Sequence, residues 1–207
     1  MSSKDYFDEV ANQWDSMRQS FFSEEVRVTA LAKAGVKAGQ LAADIGAGSG
    51  FISEALLGAK LKVIAVDQSE DMLTVMKEKF GESAVDYRAG GSEALPIEDN
   101  SVDYAFANMY LHHVEAPALA IKEMVRILRP DGQLIITDLD SHDFAFLVEE
   151  HHDRWLGFER DLVSHWFTEA GLSHVEVGDV GCDCCTTSEC GTCDASIGIF
   201  IAAGRKV

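Results

Sequence analysis

The chain has 207 residues, 47% hydrophobic and 25% charged, enough to bury a core as one domain without disulfide or metal staples. Its 17 basic residues face 35 acidic ones, a formal net charge of −18, and with no Lys or Arg run to offset it such a surface repels phosphate backbones and anionic bilayers, which excludes nucleic acid and membrane as expected partners. No stretch approaches the roughly 18 apolar residues of a membrane span, and the start MSSKDYFDEV lacks the charged-then-apolar pattern of a secretory signal, so the expected location is cytoplasmic.

Between residues 4 and 34, Tyr6, Phe7, Val10, Trp14, Met17, Phe21, Phe22, Val26 and Leu31 recur at three-to-four spacing. That period predicts two or three amphipathic helices. The aromatic stripe Tyr6, Phe7 and Trp14 either packs into the core or shields a ligand, with residues 1–35 as a helical lid. Strands are then predicted at 41–45, 61–66, 84–89, 102–108 and 132–138, separated by helices at 50–58, 69–80 and 116–128. This alternation implies a parallel sheet with right-handed crossovers and helices on both faces. A helical region at 142–170, closed by Gly171, precedes strands near 174–180 and 196–203. A hairpin-like link between these two reverses the last strand. The expected fold class is therefore α/β: a three-layer α/β/α sandwich whose seven-stranded, mostly parallel sheet has one antiparallel strand near the edge. Residues 181–195 are read as a cysteine-rich insertion between the last two strands of this single domain.

The segment LAADIGAGSGF joins the first strand to a loop with Gly46, Gly48 and Gly50. A dinucleotide fingerprint is G-x-G-x-x-G. Here the third glycine falls one residue early and Phe51 takes its place, which favours S-adenosyl-L-methionine over NAD or FAD. Asp44 can steer the loop or meet a cationic ligand head. Asp67 ends the second strand, at the edge where open α/β sheets bind ligands, and a carboxylate there can accept both hydrogen bonds of a ribose diol.

DIGAGSG, VDQSEDML, ALPIEDNSVD and EMVRILRPDGQLIITDLD, in this order, resemble the motifs of class I S-adenosylmethionine-dependent methyltransferases of Rossmann-like fold. Within that family the chain resembles small type-11-like members akin to quinone-biosynthetic and arsenite-methylating enzymes, and LHHVEAP, EHHDRWLGF and IFIAAGRK are similar to segments of those associated with arsenical-responsive repressors. The resemblance implies that Asp44, Gly46, Ala47 and Gly48, with Gly50 in the same loop, bind the methionine end. It also implies that Asp67 grips the ribose, that Gln68 and Met72 flank the adenine, and that Asn108 and Leu111 close over the sulfonium side. Where the family often has Asp before its A-x-x-LP motif, this chain has Gly90-Gly91-Ser92-Glu93, so adenine recognition passes to backbone amides and to Ser92 or Glu93.

His112, His113 and His142 follow the fourth and fifth strands at the ligand-bearing edge, and imidazole titrates near neutrality, so any of them is a candidate base. Packing or capping is the alternative role. His151-His152-Asp153-Arg154-Trp155 reads as a helix surface with Trp155 packed. Adjacent residues there point to different faces, although one histidine could join ligands from elsewhere. All five cysteines lie between Cys182 and Cys193, unlike a disulfide framework. Cys184, Cys185, Cys190 and Cys193 are the candidate zinc or metalloid ligands. Capture of a thiophilic substrate, a structural or regulatory metal site and redox thiols remain open uses.

The expected function is methylation of a small molecule, with a thiophilic metalloid such as arsenite as the sharpest substrate expectation. C- or O-methylation of an organic acceptor is the alternative within enzymes, and a cofactor-binding sensor of metal or thiol stress is the alternative outside them. Oligomeric state is open.

Overall fold

The computed structural model describes residues 3–188 and 194–207. Three helices, α1 (Ser3–Val10), α2 (Trp14–Phe21) and α3 (Glu25–Ala34), precede β1 (Leu41–Ile45), α4 (Phe51–Gly58), β2 (Lys62–Asp67), α5 (Glu70–Phe80), β3 (Asp86–Ala89) and β4 (Val102–Asn108). A 3-10 turn at Leu111–His113 then leads to α6 (Pro117–Ile127), β5 (Leu128–Leu139), α7 (Phe146–Glu150), α8 (Arg160–Glu169), β6 (Leu172–Thr187) and β7 (Asp194–Lys206).

The sheet order is β3-β2-β1-β4-β5-β7-β6. The first five strands pair in parallel. β7 runs against both β5 and β6, so there are two antiparallel pairs. The expectation of one antiparallel strand near the edge is thereby made exact: β7 alone is reversed, it pairs on both sides, and β6 outside it forms the edge. The period of two sorts each strand onto two faces. Ala42, Phe106, Ile135 and Ile199 face α3 and α4 with Val26, Ala30, Phe51 and Leu56. Ala43, Ile45, Ala105, Ile136 and Phe200 face α6 and α8 with Met124, Val163 and Phe167. Burial of each large apolar side chain on these faces contributes about 1.5–3 kcal/mol.

Three further differences from the sequence reading bear on the site. Val26, Ala30 and Ala34 of α3 are buried in the core, so only α1 and α2 of the expected 1–35 lid overlie the cleft. The 142–170 region is two helices, and residues 151–155 between them are not helical. Gly181–Thr187 continue β6 instead of leaving the sheet: after a register shift between Asp179 and Asp183, residues 183–187 pair with β7, which overrides the low strand preference of Gly, Asp and Cys. Cys182, Cys184 and Cys185 thus stand on a strand. Cys190 and Cys193 lie outside the described residues.

Candidate functional site

The strand order reverses between β1 and β4, and the crevice at their carboxyl ends is where such sheets take ligands. Gly46, Ala47, Gly48, Asp67, Gln68, Met72 and Asn108 of the candidate cofactor residues line it, together with Arg18 and Tyr110. Gly46 has φ +67, and a Cβ there would overlap the Tyr110 ring. Only glycine holds this position without strain. Gly50, also left-handed, has Phe80 and Met76 against its α-carbon and supports the loop from behind.

Asp44 is 2% exposed and does not line the crevice. Its Oδ2 accepts the backbone N–H of Ser53 at 2.9 Å and the Ser53 hydroxyl at 2.6 Å. Of its two expected roles the structure supports loop steering: it fastens α4 to β1. Burial pushes its carboxyl up to about 6. Asp67 Oδ2 accepts the Gly48 N–H at 2.8 Å and Oδ1 the Ser69 N–H at 2.9 Å. Burial raises its pKa too, and these amides pull it back. Ser69 caps α5 by accepting from Met72 N at 3.0 Å, which fixes Met72 beneath the crevice and stabilises by about 1 kcal/mol.

Ser92 and Glu93 border an adjoining hollow with Gln68 and Tyr110. Glu93 also accepts the Ala116 N–H at 3.1 Å. The Asn108 amide oxygen accepts the Thr137 hydroxyl at 2.8 Å. Leu111 is fully buried in the core and lines none of these spaces, which corrects its expected place over the ligand. Tyr110, one residue earlier, lines the crevice instead, its phenol pushed up to about 12 by burial.

Arg18 is a residue the sequence reading missed. It comes from α2, is buried, and stacks 4.2 Å over the Phe51 ring. Nε and Nη1 have no hydrogen-bond partner, and Nη2 reaches Glu24 at 3.4 Å. A buried, under-bonded guanidinium beside a crevice is a ready anion contact.

A second cavity opens next to the crevice and shares Phe7, Trp14, Phe22, Met109 and His113 with it. Tyr6, Phe21, Leu139 and Leu147 make it mostly apolar and aromatic, while His112, Asp153 and Cys184 give it one polar wall. Tyr6, Phe7 and Trp14 of the expected lid line this cavity. His112 Nδ1 lies 2.6 Å from Asp138 Oδ1. Asp138, fully buried, also accepts the Leu111 N–H at 2.7 Å. Burial alone would lower the His112 pKa, but the Asp138 and Asp153 charges outweigh it and raise the ring to about 9. His113 is driven well below its ordinary value by burial and by the neighbouring His112 charge.

His142 is not brought to this wall and lines neither space. Residues 140–142 pair with 156–158 after β5, with His142 N bonded to Leu156 O at 3.0 Å, and its Nδ1 accepts the Phe144 N–H at 3.2 Å. The expected cysteine cluster is not assembled among the described residues either. Cys184 is buried at the cavity, while Cys185 is exposed; adjacent strand residues face opposite ways. The missing partner of the histidines was Asp153, set in a run read as helix surface.

A family model described as "Methyltransferase domain" matches residues 43–136, which hold the glycine loop, Asp67 and Asn108. Residues 43–136 form a methyltransferase domain. The demethylmenaquinone methyltransferase of Renibacterium salmoninarum is 35% identical over 67% of this chain and 59% of that protein. The enzyme of that name from Paenarthrobacter aurescens is 36% identical over 72% of this chain and again 59% of its own length. The chain thus spans under two thirds of the length of these curated relatives. A chain of the complex between the Haloferax volcanii Trm112 methyltransferase activator and a methyltransferase superposes with a TM-score of 0.79, at 21% identity over 96% of both chains. Phosphoethanolamine N-methyltransferase 2 of Haemonchus contortus, solved with S-adenosyl-L-methionine, gives 0.72 at 20% identity over 87% of this chain and 52% of that one. At these identities the two structures establish the fold of the methyltransferase domain.

Proposed function

We propose that the protein methylates a small, largely apolar organic acceptor bound under α1 and α2, with S-adenosyl-L-methionine in the crevice. The observation that carries this reading is the shared wall of Phe7, Trp14, Met109 and His113 between the crevice and the aromatic cavity. When bound, the cofactor supplies a methyl group activated by a sulfonium.

The residues present suit that group. Gly46 and Gly48 leave the backbone open to close approach, Asp67 has lone pairs left for a ribose diol, and Met72 and Tyr110 offer apolar and aromatic surface to a base. Arg18 holds the carboxylate of the methionine end. The aromatic wall keeps water away from the reacting atoms and aligns the acceptor, which is most of what this reaction asks of a protein. The polar wall of His112, His113 and Asp153 holds the acceptor's ionisable oxygen.

An arsenite acceptor fits less well, because Cys184 is the one cysteine at the cavity among the described residues and its thiol is pushed up to about 12 by burial. The relatives named for demethylmenaquinone favour a quinone-type acceptor. The test is calorimetry with S-adenosylhomocysteine, followed by turnover of labelled cofactor with reduced naphthoquinones, simple phenols and arsenite. Methyl transfer to a quinol or phenol supports the reading. Absence of S-adenosylhomocysteine binding overturns it, arsenite as the preferred acceptor replaces the organic substrate, and binding without turnover on any acceptor favours the sensor.

A further inference from the structure

Two buried aspartates flank the His112 ring, and the hydrogen bonds around it decide where the lone pairs point. His112 Nδ1 bonds Asp138 Oδ1, so the neutral ring carries its lone pair on Nε2. The His113 ring bonds the backbone of His152, while its buried Nδ1 has no hydrogen-bond partner. A second lone pair therefore sits on that Nδ1. Both converge on one carboxylate: Asp153 Oδ1 lies 3.8 Å from His112 Nε2 and 3.7 Å from His113 Nδ1. Asp153 is only 5% exposed. Three electron-rich atoms aimed at one dry point repel each other unless positive charge stands between them.

We propose that this point is a divalent transition-metal site, with His112 Nε2, His113 Nδ1 and Asp153 Oδ1 as ligands. The three atoms lie within 4.8 Å of one another. Tetrahedral bonds of about 2.1 Å would separate ligand atoms by about 3.4 Å, a few tenths of an ångström less than the distances from Asp153 Oδ1 to the two ring nitrogens. Its second layer is in place, since Asp138 orients His112 and the His152 backbone orients His113, as such ligands require. Two imidazoles and a carboxylate select zinc, iron(II), cobalt(II) or nickel(II) over magnesium and calcium.

All three ligands border the aromatic cavity. Resting on the acceptor reading above, the cation would bind the acceptor's hydroxyl oxygen in a remaining coordination position and hold it deprotonated. The hydroxyl proton would leave to solvent, and the oxygen's electron pair would form the bond to the methyl carbon, or feed the ring carbon that forms it and then loses its own proton to solvent, while the S–CH3 bond would break with its pair going to sulfur. The competing source of positive charge is a proton on His112.

The experiment is cobalt(II) titration of the full reduced chain, followed by absorption, on the wild type, His113→Gln, Asp153→Asn and a Cys184→Ser/Cys185→Ser variant, each checked for S-adenosylhomocysteine binding by calorimetry. The site predicts one equivalent of cobalt with d–d bands and no thiolate charge-transfer band. It also predicts affinity at least about tenfold weaker in whichever of His113→Gln and Asp153→Asn still binds the nucleoside, and unchanged in the cysteine variant. Failure to bind cobalt at micromolar concentration overturns it in favour of the protonated ring. A thiolate spectrum abolished in the cysteine variant overturns it in favour of the thiols. Cobalt binding by a chain that does not take S-adenosylhomocysteine supports the metal site and removes the methyltransferase reading; nucleoside binding without cobalt does the reverse.

Discussion

The backbone N–H of Gly48 donates to Asp67 Oδ2 at 2.8 Å, which ties the glycine loop after β1 to the end of β2. The same carboxylate holds the Ser69 amide, so it sets the width of the crevice as well as offering lone pairs to a ribose. Asp67→Asn turns an NH2 group toward one of these amide donors. S-adenosylhomocysteine affinity is expected to fall about 10- to 100-fold, read by calorimetry. An unchanged dissociation constant would remove Asp67 from the ribose site.

Arg18 gives a test that separates binding from folding. Arg18→Met keeps much of the stem that packs against Phe51 and removes the charge. Affinity for S-adenosylhomocysteine should drop about 10- to 100-fold, whereas 5′-methylthioadenosine, which has no carboxylate, should bind as before. Equal losses for both ligands would mean that Arg18 acts only by holding α2 in place.

Asp44 predicts a pH effect on stability. Burial raises its pKa from 3.8 to about 6, so the folded state holds the proton more tightly than the unfolded one. The stabilisation is full below pH 3.8 and is lost as pH rises through about 6. Asp44→Asn keeps an acceptor for Ser53 and cannot titrate. Between pH 4 and pH 7 the wild type should lose about 2 kcal/mol relative to this variant in urea unfolding. A difference that does not change with pH would show that Asp44 keeps its ordinary carboxyl pKa in the folded protein.

The strand-borne thiols should differ in reactivity. Cys185 is exposed, while Cys184 is buried with its thiol pushed up to about 12. Iodoacetamide at pH 8, mapped by mass spectrometry, is expected to modify Cys185 first and Cys184 last among Cys182, Cys184 and Cys185. Equal rates in the folded protein would place Cys184 outside the cavity wall.

The crevice was readable because its chemistry is local: a glycine loop between a strand and a helix, and an aspartate at the next strand end, identify themselves by spacing. Asp153 and Arg18 were not readable in that way. Each reaches its site from an element distant in sequence, and neither sits in a periodic pattern that marks a binding residue. Leu111 and Tyr110 show the limit of register, since a shift of one position after β4 exchanges a core residue for a crevice residue. The cysteine segment was misread because its composition disfavours a strand, and the partner that makes it one, β7, comes later in the chain.

That partnership has a consequence for how the sheet is assembled. Among the described residues β6 bonds only to β7, which itself bonds to β5. During synthesis β6 is made first, so it has no hydrogen-bonded neighbour until residues 194–206 follow it and slide in between. For that interval Cys182, Cys184 and Cys185 belong to an unpaired edge, open to oxidants and to foreign strands, and docking of β7 is the event that ends the exposure.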